Sequence, residues 1–313
     1  MTCEKVSIER DMLGINSIQT PLVAGDPAIP LVQCIAHRGS RYHWPENTML
    51  AFENAIKAGA HALETDIHLS RDGVAVLSHD STLKRCYGIP GKVIDYDWEY
   101  LRTLRTLKEP HAPMARLSDL IKFLAQPENS RIWLILDIKT DNIADDVMIA
   151  IAESLASVNG SAEYWHGRIQ LGCWNIKFVP LCQKYLPGFP ITFIGYSLAL
   201  AMEFLDVPEA NFNLLFPSVI NLFGCDFIRK AQARGREVYV WTLNDPALMK
   251  WAISLGVDGI VTDEVKKLLR CHPSEEVRSF LRIFFMSFCY VWWPALILPL
   301  YSAIFKPRFK VST

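Results

Sequence analysis

The sequence predicts an α/β protein, a (β/α)8 barrel, and three features lead to that prediction. Short apolar runs alternate with amphipathic stretches, the runs are hydrophobic on both faces, and the number of such pairs is close to eight. Strands that are apolar on both faces belong to parallel sheets covered by helices. An open doubly wound sheet would give a similar pattern, but the number of pairs favours a closed barrel.

The predicted elements follow this alternation from one end of the body to the other. Strands are expected at 31–37, 62–69, 74–79, 131–139, 168–174, 191–196, 213–218, 237–243 and 258–263. The clearest helices are expected at 46–59, 117–126, 144–157 and 246–256. Ser118 is expected to cap the second of these helices, and Asp72-Gly73 predicts the turn between the second and third strands. Residues 81–111 have no clear period and are expected to be irregular.

Size and charge narrow the class of protein. The chain has 313 residues, of which 50% are hydrophobic, and a formal net charge of -1. This balance gives no sign of a nucleic-acid partner, because such proteins carry excess positive charge. The eight cysteines are scattered and include no CxxC pair, which argues against a zinc site and a disulfide framework. The body is therefore expected to face the cytosol.

The C-terminal region contains an uncharged apolar stretch, 283–305, between Arg282 and Lys306. Its length is close to the roughly 20 residues that a bilayer crossing needs. Pro294 and Pro299 fall inside it and interrupt helical hydrogen bonding, so both a tail anchor and a shallow hairpin are compatible with it. The sequence predicts an N-terminal extension (1–30), a barrel domain (31–272) and a membrane segment (283–305).

Eight side chains that could take part in catalysis or binding lie at or near the ends of predicted strands: His37, Arg38, Glu64, Asp66, His79, Asp137, Lys139 and Trp241. Glu64 and Asp66 are two residues apart in one strand, so both point to the same face. Converging carboxylates repel one another unless a cation neutralises them, and oxygen ligands suit Ca2+ or Mg2+ better than zinc. Each feature alone is common in ordinary ion pairs and buried histidines. Their joint occurrence at strand ends predicts an active site.

The segments that carry these residues resemble the glycerophosphodiester phosphodiesterases. The matching motifs are HRGSRYHWPENT (37–48), ALETDIHLSRDGVAVLSHD (62–80), LDIK (136–139), VYVWTLN (238–244) and GVDGIVTD (256–263). The resemblance covers 31–270, and within the family the chain looks most similar to the fungal phosphatidylglycerol phospholipases C. It implies a TIM barrel with a bound divalent metal.

The resemblance also implies a role for each candidate residue. His37 and His79 would form the acid/base pair, Arg38 and Lys139 would bind the phosphate, and Trp241 would pack against the glycerol unit. The metal ligands would be Glu64, Asp66 and Asp137. The family usually has glutamate at the last position, so the shorter Asp137 would reach the metal directly or through water, or the ion would shift towards it.

The function expected from the sequence is hydrolysis of phosphatidylglycerol to diacylglycerol and glycerol phosphate at a membrane. The catalytic domain would face the cytosol, on the endoplasmic reticulum, a lipid droplet or the mitochondrial outer membrane. One alternative is a glycerophosphodiester phosphodiesterase or lysophospholipase D. Another is a catalytically silent membrane-anchored binding module, which would be expected to have lost some of the histidines or carboxylates.

Overall fold

The computed structural model describes residues 32–158 and 161–271. The predicted N-terminal extension (1–30) and the predicted membrane segment (283–305) lie outside the described residues. Among the helices of the described ranges, none combines the length and the apolar composition that a bilayer crossing requires.

The predicted barrel is confirmed. Eight parallel strands close into a ring because β1 pairs with both β2 and β9, while β3 adds to β2 as an antiparallel neighbour outside the ring. The strands are β1 (Gln33–His37), β2 (Ala62–Leu69), β3 (Ala75–Leu77), β4 (Trp133–Ile138), β5 (Ile169–Cys173), β6 (Ile191–Gly195), β7 (Asn211–Leu215), β8 (Val238–Trp241) and β9 (Gly259–Thr262).

The helices cover the outside of this ring. They are α1 (Met49–Lys57), α2 (Lys84–Tyr87), α3 (Trp98–Leu101), α4 (Leu117–Leu124), α5 (Ala144–Ala156), α6 (Val179–Tyr185), α7 (Leu198–Phe204), α8 (Phe216–Val219), α9 (Leu222–Ala233), α10 (Pro246–Ser254) and α11 (Val265–Leu268). The main hydrophobic core lies between helices and strands and includes Phe52, Leu63 and Ile67. A second buried cluster, which includes Trp133 and Tyr239, is formed by side chains from the alternate strand positions.

Strand alternation places the acidic residues of β2 opposite its core residues. Leu63 and Ile67 are buried in the outer core, and Glu64 and Asp66 alternate with them and therefore point into the barrel. This confirms the side-chain direction expected for the E-x-D pair. Because β2 is buried along its whole length, these two carboxylates require partners within the protein.

Some predicted element boundaries were wrong. The strand expected at 213–218 is β7, which ends at Leu215, and Pro217 lies in the first turn of α8. Proline has no N–H for a strand ladder and its φ suits a helix start, which explains the change. Ser118 is not a helix cap, because α4 already begins at Leu117 after Arg116.

A long segment that begins with the hairpin of β2 and β3 separates β2 from α4. The Asp72-Gly73 turn occurs as predicted, with Gly73 at φ +78. The segment 81–111, expected to be irregular, contains the short helices α2 and α3. It has a small core of its own, in which Leu83 and Leu101 are fully buried. The six cysteines of the described residues are free thiols.

Candidate active site

The candidate residues gather at the carboxyl ends of the barrel strands, as predicted. Parallel pairing sets His37 beside Glu64 and Asp66 beside Asp137. One cavity is lined by all eight candidates, together with Trp174, Ile194, Asn213 and Val261: His37, Arg38, Glu64, Asp66, His79, Asp137, Lys139 and Trp241. The carboxyl end of a (β/α)8 barrel is where active sites of this architecture are found.

Three buried carboxylates form the centre of this cavity. Glu64, Asp66 and Asp137 each place an oxygen within 4.8 Å of the others. The Lys139 ammonium lies 2.6 Å from Asp66 Oδ1 and 2.5 Å from Asp137 Oδ2. Arg38 adds a second positive charge, because its guanidinium Nε lies 3.3 Å from Asp66 Oδ2. Its backbone N–H also donates to Glu64 Oε2 at 3.0 Å. Three carboxylates thus face two cations.

The pKa values of Glu64 and Asp66 reflect burial and the charges around each of them. Burial, with the nearby Asp66 and Asp137, raises the pKa of Glu64 well above its usual range. Burial also opposes ionisation of Asp66, but the charges of Lys139 and Arg38 outweigh it and hold the pKa of Asp66 far below its usual range. A divalent cation would supply the missing positive charge and favour ionisation of Glu64. The all-oxygen donor set therefore fits a hard ion such as Ca2+ or Mg2+.

Asp137 reaches the cluster although it is one methylene shorter than glutamate. Trp174 donates from Nε1 to its Oδ1 at 2.6 Å, while Lys139 contacts its Oδ2. Trp174 follows β5 directly, and its ring also lies 5.7 Å from the Lys139 ammonium. The indole therefore holds Asp137 in position from the neighbouring strand.

His37, at the end of β1, is oriented by the carboxylate of Asp263, the residue that follows β9. Its Nδ1 lies 2.8 Å from Oδ1 of Asp263, which also contacts Arg41 Nε at 3.2 Å. The side-chain amide of Asn244 donates to Asp263 Oδ2 at 2.8 Å and accepts from the Asp263 N–H at 2.9 Å. Since an ionised carboxylate only accepts hydrogen bonds, Nδ1 carries the proton and Nε2 is left for a substrate.

His79 is held in the same way by its neighbour in sequence. Its Nδ1 lies 2.7 Å from Asp80 Oδ1, and Asp80 accepts at 2.6 Å from Arg85. Arg85 also donates to Glu46 at 2.8 and 2.9 Å, and Glu46 accepts from Arg38 at 3.0 Å. A continuous chain of charged hydrogen bonds therefore joins His79 to Arg38, and it holds the pKa of Glu46 at about 2 against the opposing effect of burial.

Burial lowers the pKa of both histidines from the ordinary value. For His37 the desolvation outweighs the hydrogen bond to Asp263, which acts in the opposite direction. For His79 the desolvation exceeds the effect of the Asp66 charge. Neutral imidazole is therefore favoured over a wider pH range at each position.

Asn47 positions the central carboxylate. Its side-chain amide donates to Asp66 Oδ2 at 2.8 Å and accepts from Thr65 Oγ1 at 2.7 Å. The residue has φ +54, a left-handed conformation that asparagine tolerates better than most residues. The PENT segment thus contributes a support for Asp66 as well as Thr48, the cap of α1.

Trp241 lies at the end of β8 and is half-buried at the cavity wall. Its Nε1 donates to the Asn213 carbonyl at 2.9 Å, and its ring meets Trp174 edge to face at 6.0 Å between centroids. With Nε1 engaged in this way, the ring is fixed against the β7 and β8 ends. Two indoles, Trp174 and Trp241, therefore form an apolar wall beside the charged cluster.

These features define a phosphoric diester hydrolase: a barrel with buried carboxylates suited to a divalent metal, cations for an anionic substrate, and two histidines for proton transfer. The chain belongs to the glycerophosphoryl diester phosphodiesterase family, whose sequence model matches residues 37–267.

Known relatives agree with this membership. A lysophospholipase D of Mus musculus is 30% identical over 276 residues, which cover 75% of this chain and 84% of the relative. A glycerophosphodiester phosphodiesterase of Caldanaerobacter subterraneus is 27% identical, covering 75% and 95%. Among solved structures, an Oleispira antarctica phosphodiesterase in complex with the product sn-glycerol-3-phosphate has a TM-score of 0.66 at 21% identity. That match covers 78% of this chain and 98% of the other and supports the fold.

Replacing Asn47 by glycine is expected to weaken the affinity for the metal without altering the backbone. Glycine adopts positive φ freely, so the variant loses the amide that holds Asp66 and gains no strain. The metal concentration for half-maximal hydrolysis should rise by about 10- to 100-fold. Asn129→Ala, which removes a buried asparagine bonded to the Phe123 carbonyl, serves as the control. An unchanged metal titration in a folded Asn47→Gly variant would contradict this role.

Proposed function

We propose that this phosphodiesterase acts on lysophospholipids and related glycerophosphodiesters, keeping the glycerol phosphate unit and releasing the other alcohol. The observation that carries the proposal is one cavity in which the carboxylate cluster, two cations, two histidines and an indole wall come together. This arrangement suits a small anionic unit with an apolar side. The silent binding module is disfavoured by the retention of every side chain that the chemistry needs.

Arg38 and Lys139 would bind the nonbridging phosphate oxygens. The Arg38 Nε is buried and forms an ion pair with Asp66 Oδ2 at 3.3 Å, but it makes no hydrogen bond within the described residues, so its N–H can still donate to an anion. Glu64, Asp66 and Asp137 would hold the metal, which supplies Lewis-acid stabilisation of charge on the phosphoryl oxygens. Lys139 would then turn from its carboxylate partners towards the phosphate.

His37 and His79 would transfer the protons through Nε2, because Nδ1 of each contacts a carboxylate. A lysophospholipid has a free hydroxyl next to its phosphoester, and that oxygen would attack phosphorus while one histidine accepts its proton. The bond from phosphorus to the headgroup oxygen breaks, and the other histidine protonates the leaving alkoxide. Water then opens the cyclic phosphate with the two roles exchanged.

The neighbouring hydroxyl gives this route a direct test. A substrate analogue in which hydrogen replaces that hydroxyl should not be hydrolysed, although it should still compete with the normal substrate for binding. Hydrolysis of the analogue at a comparable rate would show that water attacks phosphorus directly.

Trp241 would pack against the glycerol carbons. Its ring is fixed by the bond to the Asn213 carbonyl and by Trp174. An apolar wall on one side of a polar cavity would orient glycerol with its hydroxyl towards the histidines.

Phosphatidylglycerol is the second candidate substrate. Its headgroup glycerol also carries a free hydroxyl next to the phosphoester, so the same chemistry would release diacylglycerol. Lysophospholipids are placed first because relatives that share most of their length with this chain are lysophospholipases D. The similarity to fungal phospholipases C remains a prediction from sequence motifs.

Product analysis separates these substrates. The purified full chain would be given lysophosphatidylcholine, phosphatidylglycerol or glycerophosphocholine with Ca2+ or Mg2+, and products identified by mass spectrometry. We expect lysophosphatidic acid and choline from the first substrate. Diacylglycerol from phosphatidylglycerol at a higher kcat/KM would favour the second candidate, and turnover of glycerophosphocholine alone would restrict the function to soluble diesters.

Replacing Asp263 by asparagine is expected to shift the pH profile to lower pH. Asp263 raises the pKa of His37 against the larger effect of burial, so without the charge His37 loses its proton at lower pH. The limb of the kcat/KM–pH profile that His37 controls should move to lower pH. The value of kcat should fall by about 10- to 100-fold, which is less than the loss expected when an acid or base is removed completely. Asp119→Asn, a half-exposed carboxylate on α4, is the control. A fall in kcat with an unshifted profile would reduce Asp263 to a structural role.

We also propose that the chain works at a membrane with its catalytic domain in the cytosol, at the endoplasmic reticulum, lipid droplets or mitochondrial outer membrane. The uncharged stretch at 283–305 supports this proposal. Microscopy of the tagged full chain beside a variant with charges inserted in that stretch would test it. An identical distribution of the two proteins would argue against membrane attachment through 283–305.

A further inference from the structure

An apolar surface is exposed where α7 and α9 begin. Leu222 and Phe223, in the first turn of α9, are 78% and 82% exposed, although Phe227 and Ile228 in the next turn are buried in the core. On α7, Leu200 and Met202 are 43% and 46% exposed. A groove between the two helices is lined by Leu198, Met202 and Phe223 among others. Four of these side chains are exposed, and Leu198 is half-buried. We call the five residues together the α7–α9 patch: Leu198, Leu200, Met202, Leu222 and Phe223.

The patch is held rigidly at the end of the barrel that carries the active site. α7 follows β6 through Ser197, whose hydroxyl caps the helix. The first turn of α9 packs closely on α8, since a Cβ on Gly224 would lie 2.3 Å from the Val219 Cα. β6 and β7 also supply Ile194 and Asn213 to the cavity wall. The strands that line the substrate cavity therefore lead directly into the patch.

Exposed apolar side chains are distributed unevenly between the two ends of the barrel. Segments that follow the carboxyl ends of β1, β4, β5, β6 and β7 each expose at least one: Tyr42, Ile143, Ile176, Tyr196 and Leu222. Among the described residues, the connections that lead from a helix into a barrel strand expose a single large one, Tyr164. Among the described residues, exposed apolar side chains thus surround the opening of the active site, whereas the opposite end exposes fewer, Tyr164 and Leu269.

We infer that the α7–α9 patch docks the catalytic end of the barrel onto a lipid surface. The inference rests on the proposed function, because an amphiphilic substrate resides in such a surface and must enter at this end. A protein bound here would obstruct that path. Exposed apolar patches edged by charges mark interaction sites, and Asp226, Arg229 and Lys230 continue the exposed face of α9. This order, apolar and then charged, matches insertion to the depth of the headgroups.

The decisive variant is Leu222→Ser/Phe223→Ser in the full chain. Ile149→Ser/Tyr164→Ser is the matched control, because it removes one aliphatic and one aromatic exposed side chain outside the patch, in the middle of α5 and in the connection into β5. Both proteins keep the 283–305 stretch, so any difference between them reports the patch. Hydrolysis would be measured on soluble glycerophosphocholine, on short-chain lysophosphatidylcholine as monomers, and on long-chain lysophosphatidylcholine in phosphatidylcholine/phosphatidylglycerol vesicles.

The patch variant should lose about tenfold or more activity on vesicles, since two apolar side chains leave the lipid. Its activity on both soluble substrates should equal that of the wild type, and the control should match the wild type on all three. An equal loss on monomeric lysophosphatidylcholine would instead identify the groove as a site for one acyl chain and overturn the proposal. Equal activity of both variants on vesicles would also overturn it.

A second measurement does not depend on activity. Hydroxyl-radical oxidation of Phe223 and Tyr164 would be compared by mass spectrometry in the wild-type chain with and without the same vesicles. Vesicles should protect Phe223 and leave Tyr164 unchanged, even if the proposed substrate is wrong. Equal protection of the two residues, or protection of Phe223 in a lipid-free dimer, would contradict docking onto lipid.

Discussion

Replacing His37 with alanine is expected to lower kcat by about 10²- to 10⁴-fold, the usual contribution of a positioned acid or base. His79→Ala should have an effect of the same order. The reason is geometric, since each imidazole contacts a carboxylate through Nδ1 and keeps Nε2 for the substrate. The measurement is steady-state hydrolysis of glycerophosphocholine at saturating metal.

The double variant distinguishes a shared reaction from two separate effects. Because both histidines act on one displacement, the loss in His37→Ala/His79→Ala should be smaller than the product of the single losses. His43→Ala is the matched control, since His43 is 57% exposed and lies outside the cavity. Near-normal activity in either single variant, with the circular dichroism of the wild type, would remove that histidine from the mechanism.

Replacing Asp66 with asparagine is expected to abolish the response to metal and to lower activity by about a thousandfold or more. Asp66 is the carboxylate that contacts Lys139, Arg38 and Asn47 together. Its loss leaves two carboxylates facing two cations, so the remaining cluster is neutral and has little affinity for a divalent ion.

Thermal unfolding gives a readout of this variant without substrate. Wild-type protein should be stabilised by metal, by about 2.7 kcal/mol at a hundredfold excess over Kd. The Asp66→Asn protein should melt at the same temperature with metal and with chelator. Asp145→Asn, which removes an exposed carboxylate from the first turn of α5, should respond like the wild type. Metal stabilisation of Asp66→Asn equal to that of the wild type would exclude Asp66 as a ligand.

The barrel and the site's central residues could be predicted because the signals are local. Alternation within a single strand fixes Glu64 and Asp66 on one face, and Asp137 and Lys139 repeat the spacing on β4. Parallel strands then bring both pairs to one end. Asp137, which is shorter than the usual glutamate, joins the cluster, and Trp174 at the end of β5 and Lys139 both hold its carboxylate.

The supporting residues could not be predicted because their partners are distant in sequence. Asp263 contacts His37 across 226 positions, and this contact exists only because β9 pairs with β1 to close the ring. Asn47 reaches Asp66 from a loop whose path depends on a left-handed residue. The motifs PENT and IVTD contain these residues, so the signal was present in the sequence, but it carried no information about their contacts.

We propose that the buried carboxylates bind a divalent metal and that phosphodiester hydrolysis depends on this metal. Its most direct test is hydrolysis of glycerophosphocholine and lysophosphatidylcholine by the chelator-treated full chain, before and after addition of Ca2+ or Mg2+. We expect no turnover in chelator, recovery with one of these ions, and no recovery in Asp66→Asn. Hydrolysis at the same rate in chelator and in metal would contradict it.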